Sequence, residues 1–234
     1  MNRRIGSFLA LAVLLAAIFV GFGLWQLGRL GDRRARNAML AAQLAQPEVP
    51  FERLPREASY RRAIVRGTPD IANEIVLTGR SRSGSPGVYL ITPIRRAATD
   101  TAVLVVRGWV YSPDAATVDL ARWREERREY SGYVAVLPAV SARREARRDA
   151  RKVRALSLAS LTPLLPYPIA TTYLVATDSA PGTAPARLPM VALDDGRHLG
   201  YAIQWFAFAA IALIGGGAVA LRARANRAAG ATDA

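Results

Sequence analysis

The side chain best suited to chemistry in this sequence is its single histidine, His198, which opens an apolar segment rich in aromatic residues. Tyr201 and Trp205 follow at i+3 and i+7, so a helix would place all three on one face. A neutral imidazole can serve as an axial ligand to a haem iron. Trp and Tyr also form belts where helices leave a membrane, and the residues alone leave both interpretations open.

A second polar group stands at the end of the first apolar segment, where Trp25, Gln26 and Arg29 follow one another closely. An amide without a partner is costly in hydrocarbon. We therefore predict that Gln26 and Gln204 face protein or a ligand. Arg29 and Arg197 could pair with anionic groups such as propionates.

The composition excludes several classes of site. The 234-residue chain has no cysteine, which removes disulfides, thiolate metal sites and covalent haem attachment through Cys-x-x-Cys-His. The sequence offers no pairing of a nucleophile with a base and no glycine loop for phosphate, so we predict that the chain is not an enzyme. The net charge of +14 comes without any nucleic-acid-binding motif, and we predict no nucleic-acid partner.

Two uncharged runs of 23 residues, 5–27 and 199–221, predict transmembrane helices that frame the rest of the chain. The first is too long for the apolar part of a signal peptide and is followed by no clear cleavage site. Residues 1–4 and 222–234 are then tails on one side of the membrane, and residues 28–198 form a domain on the other. Five arginines flank the spans on each side, so the positive-inside rule does not choose the orientation.

The central domain carries the pattern of a mainly antiparallel β fold, either a sandwich or a barrel, with one or two helical segments. A helix is expected to continue from the first span to residue 45, where Pro47 and Pro50 end it. Residues 178–195 are predicted to be a linker. The Arg-rich stretch 141–156 is predicted to be a solvated helix or loop, or else a basic surface for anionic headgroups or an acidic partner. The strands are predicted at 60–66, 74–78, 88–92, 102–111, 130–137 and 171–177, with a turn at 83–87.

Several motifs, in order along nearly the whole chain, resemble those of the surfeit locus protein 1 family. Val106 stands where the family usually has Asn, and 139–156 lacks the Trp- and Asp-containing segment seen in many members. The motifs are Gly23-Leu24-Trp25-Gln26-Leu27-Gly28-Arg29, Tyr60-Arg61-Arg62, Gly84-Ser85-Pro86-Gly87, Arg107-Gly108-Trp109-Val110 and the segment from His198 to Trp205.

The resemblance implies an assembly factor for haem–copper (cytochrome c) oxidase in the bacterial inner membrane, with both termini cytoplasmic and the central domain extracytoplasmic. It implies that His198 binds the iron of haem a for insertion into the catalytic subunit of the oxidase, with haem a synthase as a further partner. On this hypothesis Trp25, Tyr201 and Trp205 wall the haem ring and Arg29 neutralises a propionate.

Four further residues are expected to contact a partner protein or to pack between the helices, namely Gln26, Gln204, Arg107 and Trp109. The alternative function is that of a membrane scaffold which stabilises an assembly intermediate of the oxidase without binding haem. Substitution of His198 distinguishes the two hypotheses.

Overall fold

The computed structural model describes residues 3–140, 151–180, 182 and 184–232 of the chain. It divides into two compact units, one formed by Met1–Met39 with Leu193–Ala234 and the other by Leu40–Ala192. The first unit contains most of the two long helices, and the second contains the β-sheet. The tail residues 1, 2, 233 and 234 and the greater part of the Arg-rich stretch, 141–150, lie outside the described residues.

The two long helices are α1, Arg3–Leu44, and α3, His198–Thr232. Both contain a stretch long and apolar enough to cross a membrane, which is compatible with a two-span membrane protein. Both exceed the predicted spans: α1 continues without interruption beyond residue 27 and ends before Pro47, as predicted. Ala, Leu and Arg dominate this extension, and all three favour helix.

Small residues spaced by seven form the seam along which α1 and α3 pack. Ala202, Ala209 and Gly216 are the buried small residues of α3, and Ala16 and Gly23 follow the same spacing on α1. At Gly23 an added Cβ would lie 2.5 Å from the Phe206 ring, so only glycine allows this approach. In a bilayer the hydrophobic effect does not drive two helices together, because lipid is as apolar as their side chains. Close packing of small residues is one way in which helices associate there.

The β unit contains one mixed sheet whose strand order, within the described residues, is β1-β2-β7-β9-β6-β5-β4-β8, with β3 paired to β5. Most neighbours are antiparallel, as predicted, while β1/β2, β4/β8 and β6/β9 are parallel. The strands are β1 (Val49–Pro50), β2 (Arg62–Arg66), β3 (Thr68–Pro69), β4 (Ile75–Arg82), β5 (Ser85–Arg95), β6 (Val103–Tyr111), β7 (Glu129–Val136), β8 (Lys152–Val153) and β9 (Thr172–Ala176).

Apolar side chains cover both faces of the central strands. Along β6, Leu104 and Val106 belong to one buried cluster, whereas Val103 and Val105 belong to another on the opposite face. Alternate residues of a strand point to opposite faces, so a run of buried residues in β6 requires cover on both sides. Leu161 and Leu165 supply part of this cover from the segment around α2, Leu158–Leu161.

Three sequence expectations differ from the structure. Lys152–Val153 pairs as β8 with β4, so this end of the Arg-rich stretch contains a short strand where a helix or loop was predicted. The predicted turn 83–87 is shorter, because β5 begins at Ser85 and only Ser83 and Gly84 connect the strands. Residues 178–195 are not a free linker, since Ala186 exchanges two backbone hydrogen bonds with Trp109.

Candidate functional site

His198 lies at the first residue of α3 and contacts Gln26 of α1. The distance from His198 Nδ1 to Gln26 Oε1 is 2.9 Å, and both side chains are partly buried. An amide oxygen can only accept, so the imidazole donates from Nδ1 and its lone pair is on Nε2. The edge that carries Nε2 lies beside Gly196, where an added Cβ would be 3.8 Å from Nε2 and where φ is +69°. A residue with a side chain would be strained there because of the positive φ, although its Cβ would make only an ordinary van der Waals contact with the ring.

Two aspartates fix the start of α3 against α1. Arg34 Nε donates to Asp195 Oδ2 over 2.8 Å, and Arg33 Nε donates to the backbone carbonyl of Asp194 over 3.1 Å. Asn37 Nδ2 donates to the same carbonyl at 2.8 Å. These contacts set where α3 begins and so where His198 meets Gln26. These contacts could not be predicted from the sequence, because nothing in the local pattern pairs residues so distant in the chain.

Trp205 lies two helical turns beyond His198 in a cluster of aromatic rings. Its ring centroid is 4.9 Å from that of Phe22, 5.7 Å from Phe19 and 5.9 Å from Phe208. Such contacts between rings add to the packing energy of buried area. Trp205 therefore holds the two helices together below the His198–Gln26 contact.

The structure does not gather all the residues expected around a haem ring. Trp25 precedes Gln26 and is turned from it by about 100° around the helix. It is 59% exposed, on a face of α1 shared with Ile18 and Phe22. Arg29 is exposed and pairs with Asp32 at 3.6 Å, one turn along the same helix. Tyr201 is exposed beside His198.

Gln204 does not face α1, so it does not make the interhelical contact that was one of its two predicted roles, and contact with a partner or a ligand stays a prediction. It is exposed, and its side chain makes no hydrogen bond with any residue that the structure describes. The reason is geometric, because two residues of helix separate it by about 200° from Ala202, which is buried in the seam. Of the two predicted amides, Gln26 faces protein and Gln204 does not.

Arg107 is a core residue of the β unit and not a surface contact. Its side chain is fully buried and pairs with the buried Glu74, which also accepts a hydrogen bond of 2.6 Å from Thr92 Oγ1. Arg107 Nη1 donates to the backbone carbonyl of Trp123 at 2.8 Å and lies 3.3 Å from Glu125 Oε2. A buried guanidinium needs such partners, because removing a charge from water is otherwise prohibitive.

Glu125 extends this network to Arg187, in the segment expected to be a linker. Arg187 Nη2 donates to Glu125 Oε1 at 2.7 Å, and Arg187 Nε donates to Asp178 Oδ1 at 2.9 Å. Burial raises the pKa of Glu125, but hydrogen bonds and charge from Arg187 and Arg107 outweigh it and hold the pKa below its ordinary value. The network ties the segments 121–127 and 178–187 to β6.

Trp109 packs where the chain approaches itself closely. An added Cβ on Gly87 would lie 2.3 Å from Trp109 Nε1, and one on Gly108, where φ is +154°, would lie 2.5 Å from the carbonyl oxygen of Ala186. The Arg107-Gly108-Trp109 and Ser85-Pro86-Gly87 motifs thus have packing roles inside the β unit. Contact of Trp109 with a partner protein stays a prediction.

The comparison with known families decides the chain's relationship. The model of the SURF1 family matches residues 13–210. The matched range contains Gln26, His198 and all the strands described above. The chain belongs to the SURF1 family. This confirms the resemblance to the surfeit locus protein 1 family that the motifs indicated.

Individual relatives agree with this membership. A SURF1-like protein of Rickettsia felis is 32% identical over 94 residues, which are 39% of this chain and 41% of the relative, so the match spans about two fifths of that protein. A SURF1-like protein of Rickettsia prowazekii is 24% identical over 84% of this chain and 83% of its own length. The cytochrome oxidase assembly protein SHY1 of Saccharomyces cerevisiae is 27% identical over 47% of this chain and 30% of its own.

Proposed function

We propose that this chain is an assembly factor for haem–copper oxidase that carries haem a as cargo to the catalytic subunit. Membership of the SURF1 family and similarity to the yeast assembly protein support a role in oxidase assembly. The observation that carries the haem proposal is the His198–Gln26 contact between the two helices. The chain acts by binding and release and catalyses no reaction.

The His198 side chain fits the role of an axial ligand. Its Nδ1–H is held by Gln26 Oε1, so Nε2 presents a lone pair beside a glycine. Histidines that bind metals commonly donate their other ring nitrogen in this way, which fixes the ring and its tautomer. When bound, haem a would supply only its iron as the acceptor of that lone pair.

The surroundings of His198 suit cargo better than a permanent cofactor. His198 is the single histidine of the sequence, so a second imidazole ligand to the iron would have to come from another molecule. Tyr201 is exposed beside His198. Arg29 would have to leave its pair with Asp32 in order to bind a propionate of the haem. A site with one ligand and open sides can release haem to a protein that offers two.

A pair of glutamine variants tests the contact itself. Gln26→Leu removes the acceptor for Nδ1, and we expect the affinity for haem a, measured by absorption titration in detergent, to fall about 10–100-fold. Gln204→Leu is the matched control, because Gln204 is exposed on the other face of α3 and should leave affinity unchanged. Equal affinity of the two variants and the wild type would remove Gln26 from the proposal.

The alternative function, a scaffold for an oxidase intermediate that binds no haem, is favoured by one observation. Gln204 is an exposed amide within an apolar helix, and a helix of a partner protein could satisfy it. A scaffold would retain the oxidase subunit in purification when His198 is replaced by alanine, and the oxidase would remain active. A carrier would retain the subunit while oxidase activity fell.

We also propose that the protein lies in the bacterial inner membrane with both termini in the cytoplasm and the β unit outside it. The two apolar helices support the two spans. Haem a synthase is the proposed donor of haem, because a cargo this apolar needs a source within the membrane.

A further inference from the structure

Three segments of the β unit meet around an open cleft of about 810 Å³, which we call the basic cleft. Its walls are the junction of β2 and β3, the end of β5 with the loop after it, and the start of β7. The residues that line it are Arg66, Gly67, Thr68, Arg95, Arg96, Ala97, Ala98, Thr99, Asp100, Arg128 and Glu129.

Main-chain pairing fixes the walls of the basic cleft. Gly67 N donates to the carbonyl of Arg128 at 3.0 Å, and Thr68 pairs in register with Arg95. An added Cβ on Gly67 would lie 2.3 Å from the carbonyl oxygen of Arg95. The chain segments therefore approach more closely than any residue with a side chain at position 67 would allow. Two walls of the cleft are therefore held by main-chain pairing within the sheet, and the loop after β5 forms the rest.

The lining is polar and positively charged. Four arginines face two acidic residues, Asp100 and Glu129, and Glu129 is already paired with Arg66 at 2.7 Å. The lining contains no aromatic ring and no large aliphatic side chain. An apolar ligand such as a porphyrin gains nothing from such walls, whereas a hydrophilic anion does.

Two arginines of the cleft have donors to spare. Arg95 lies with its guanidinium carbon 4.3 Å from the centre of the Tyr167 ring, which fixes the plane and leaves the N–H edge available. The main chains of Arg95 and Arg128 pair within the sheet, but among the described residues neither side chain has a hydrogen bond or an ion pair. A guanidinium fixed in plane can donate two parallel hydrogen bonds to a phosphate or carboxylate.

We propose that the basic cleft binds a phosphate group through Arg95 and Arg128. The phosphate can belong to a soluble phosphorylated molecule or to a phospholipid headgroup, and both present the same oxyanion to the two arginines. Arg96 positions the β5–β6 loop, since its Nη2 donates to the carbonyl of Thr101 at 3.2 Å. This site is separate from His198 and does not depend on the proposed carrier function.

Calorimetric titration of the full-length chain in neutral detergent at low ionic strength tests this site, because salt screens charge pairs. The probes are inorganic pyrophosphate, a short-chain phosphatidylglycerol and a glutamate-rich peptide. We expect pyrophosphate to bind, and Arg95→Gln with Arg128→Gln to weaken it at least tenfold. Arg53→Gln with Arg82→Gln is the matched control with the same loss of charge, from arginines outside the cleft, and should change affinity less than twofold.

The outcomes separate the sources and the alternatives. Tighter binding of phosphatidylglycerol than of pyrophosphate assigns the site to a lipid headgroup, and the reverse assigns it to a soluble phosphate. Binding of neither, binding of the peptide alone, or equal loss in the control variant overturns the proposal. Arg128→Gln alone, whose side chain supports no described contact, should weaken binding even if the double variant folds poorly.

Discussion

At the scale of single residues, the buried Arg107–Glu74 pair shows how a charge inside a sheet depends on its partners. Glu74 and Arg107 are completely buried, and Glu125 is nearly so. The Coulomb attraction and hydrogen bonds of such a group roughly offset its desolvation, so the pair as a whole contributes little. Removal of one member leaves the other charged and buried.

Arg107→Met should therefore lower the free energy of unfolding by about 3–5 kcal/mol, because Glu74 loses its counter-charge. Thermal unfolding of the full-length chain in detergent, followed by near-ultraviolet circular dichroism, measures the change. The control is Arg124→Met, which breaks an exposed pair with Glu126. That loss should be at most about 1 kcal/mol, and similar losses in the two variants would contradict the account.

Asp70 gives a pH dependence at the same scale. Burial raises its pKa, but hydrogen bonds from Tyr167 and Asn73 outweigh this and hold it below the ordinary 3.8. Tyr167 Oη donates to Asp70 Oδ2 at 2.6 Å. A pKa lowered by folding stabilises the fold above the ordinary value, and that contribution disappears as pH falls through the folded pKa.

Tyr167→Phe should consequently lower the unfolding midpoint at pH 7 by about 2–4 °C, since one hydrogen bond to a partly exposed charge contributes about 1 kcal/mol. The difference from wild type should diminish as the pH falls below about 4. Unfolding midpoints at pH 7, 5 and 3 provide the measurement. A difference that is constant with pH would mean that the contribution of the Tyr167 hydroxyl does not depend on the charge of Asp70, and no difference at any pH would mean that Tyr167 acts by packing alone.

At the scale of elements, the pairing of α1 with α3 rests on small residues at one seam. An added Cβ on Gly216 would lie 3.2 Å from Ala12 Cβ, whereas one on Gly217 would have no atom within 4 Å. The Cβ atoms of a disulfide lie about 3.5–4.5 Å apart. The chain has no cysteine of its own, so introduced pairs report without background.

We expect Ala12→Cys with Gly216→Cys to form a disulfide on mild oxidation in membranes. Ala12→Cys with Gly217→Cys should not, because residue 217 points away from α1. Mobility on a non-reducing gel after cleavage between the helices distinguishes linked from unlinked chains. Linkage of the Gly217 pair in preference to the Gly216 pair would contradict the seam.

The same elements show what the sequence could predict. Uncharged runs and alternating apolar patterns identified both long helices and the six longer strands, because these signals are local. The two-residue strands β1, β3 and β8 carry no periodicity, so they could not be recognised. Arg107 lies in an apolar strand pattern but its partners are distant in sequence, and for that reason its burial was missed.

The candidate site was predictable in the same uneven way. The motif around His198 and the amide of Gln26 could be identified from residue type, and the structure brings those two together. The hydrogen bonds from α1 to Asp194 and Asp195 join residues far apart in the chain, so they could not be predicted from local sequence. Gln204 was expected from its chemistry to face protein or a ligand, and the helical angle places it on the face of α3 away from α1, which leaves a partner or a ligand as the predicted contact.

At the scale of the whole molecule, two spans with both termini on one side predict the exposure of the β unit. We expect an impermeant maleimide to label Arg53→Cys in right-side-out membrane vesicles and to leave Ala225→Cys unlabelled until detergent is added. Both positions are exposed in the folded chain, so access depends only on the membrane. The opposite pattern would invert the proposed topology, and equal labelling of both would contradict two spans.

The proposed carrier function makes a demand on the molecule that scaffolding does not, because a carrier must release haem as well as bind it. In this proposal His198, held by Gln26, would be a single ligand, and the aromatic cluster of Phe19, Phe22 and Trp205 keeps the helices paired. Binding and release then require no change in the seam.

The absorption spectrum of the chain purified from cells that make haem a, beside His198→Ala, tests this account most directly. We predict a haem a spectrum in the wild type that is lost in the variant, with the unfolding midpoint of the chain preserved. Haem a retained at equal occupancy in His198→Ala, or absent from the wild type while the oxidase subunit still co-purifies, would contradict the proposal that His198 carries haem.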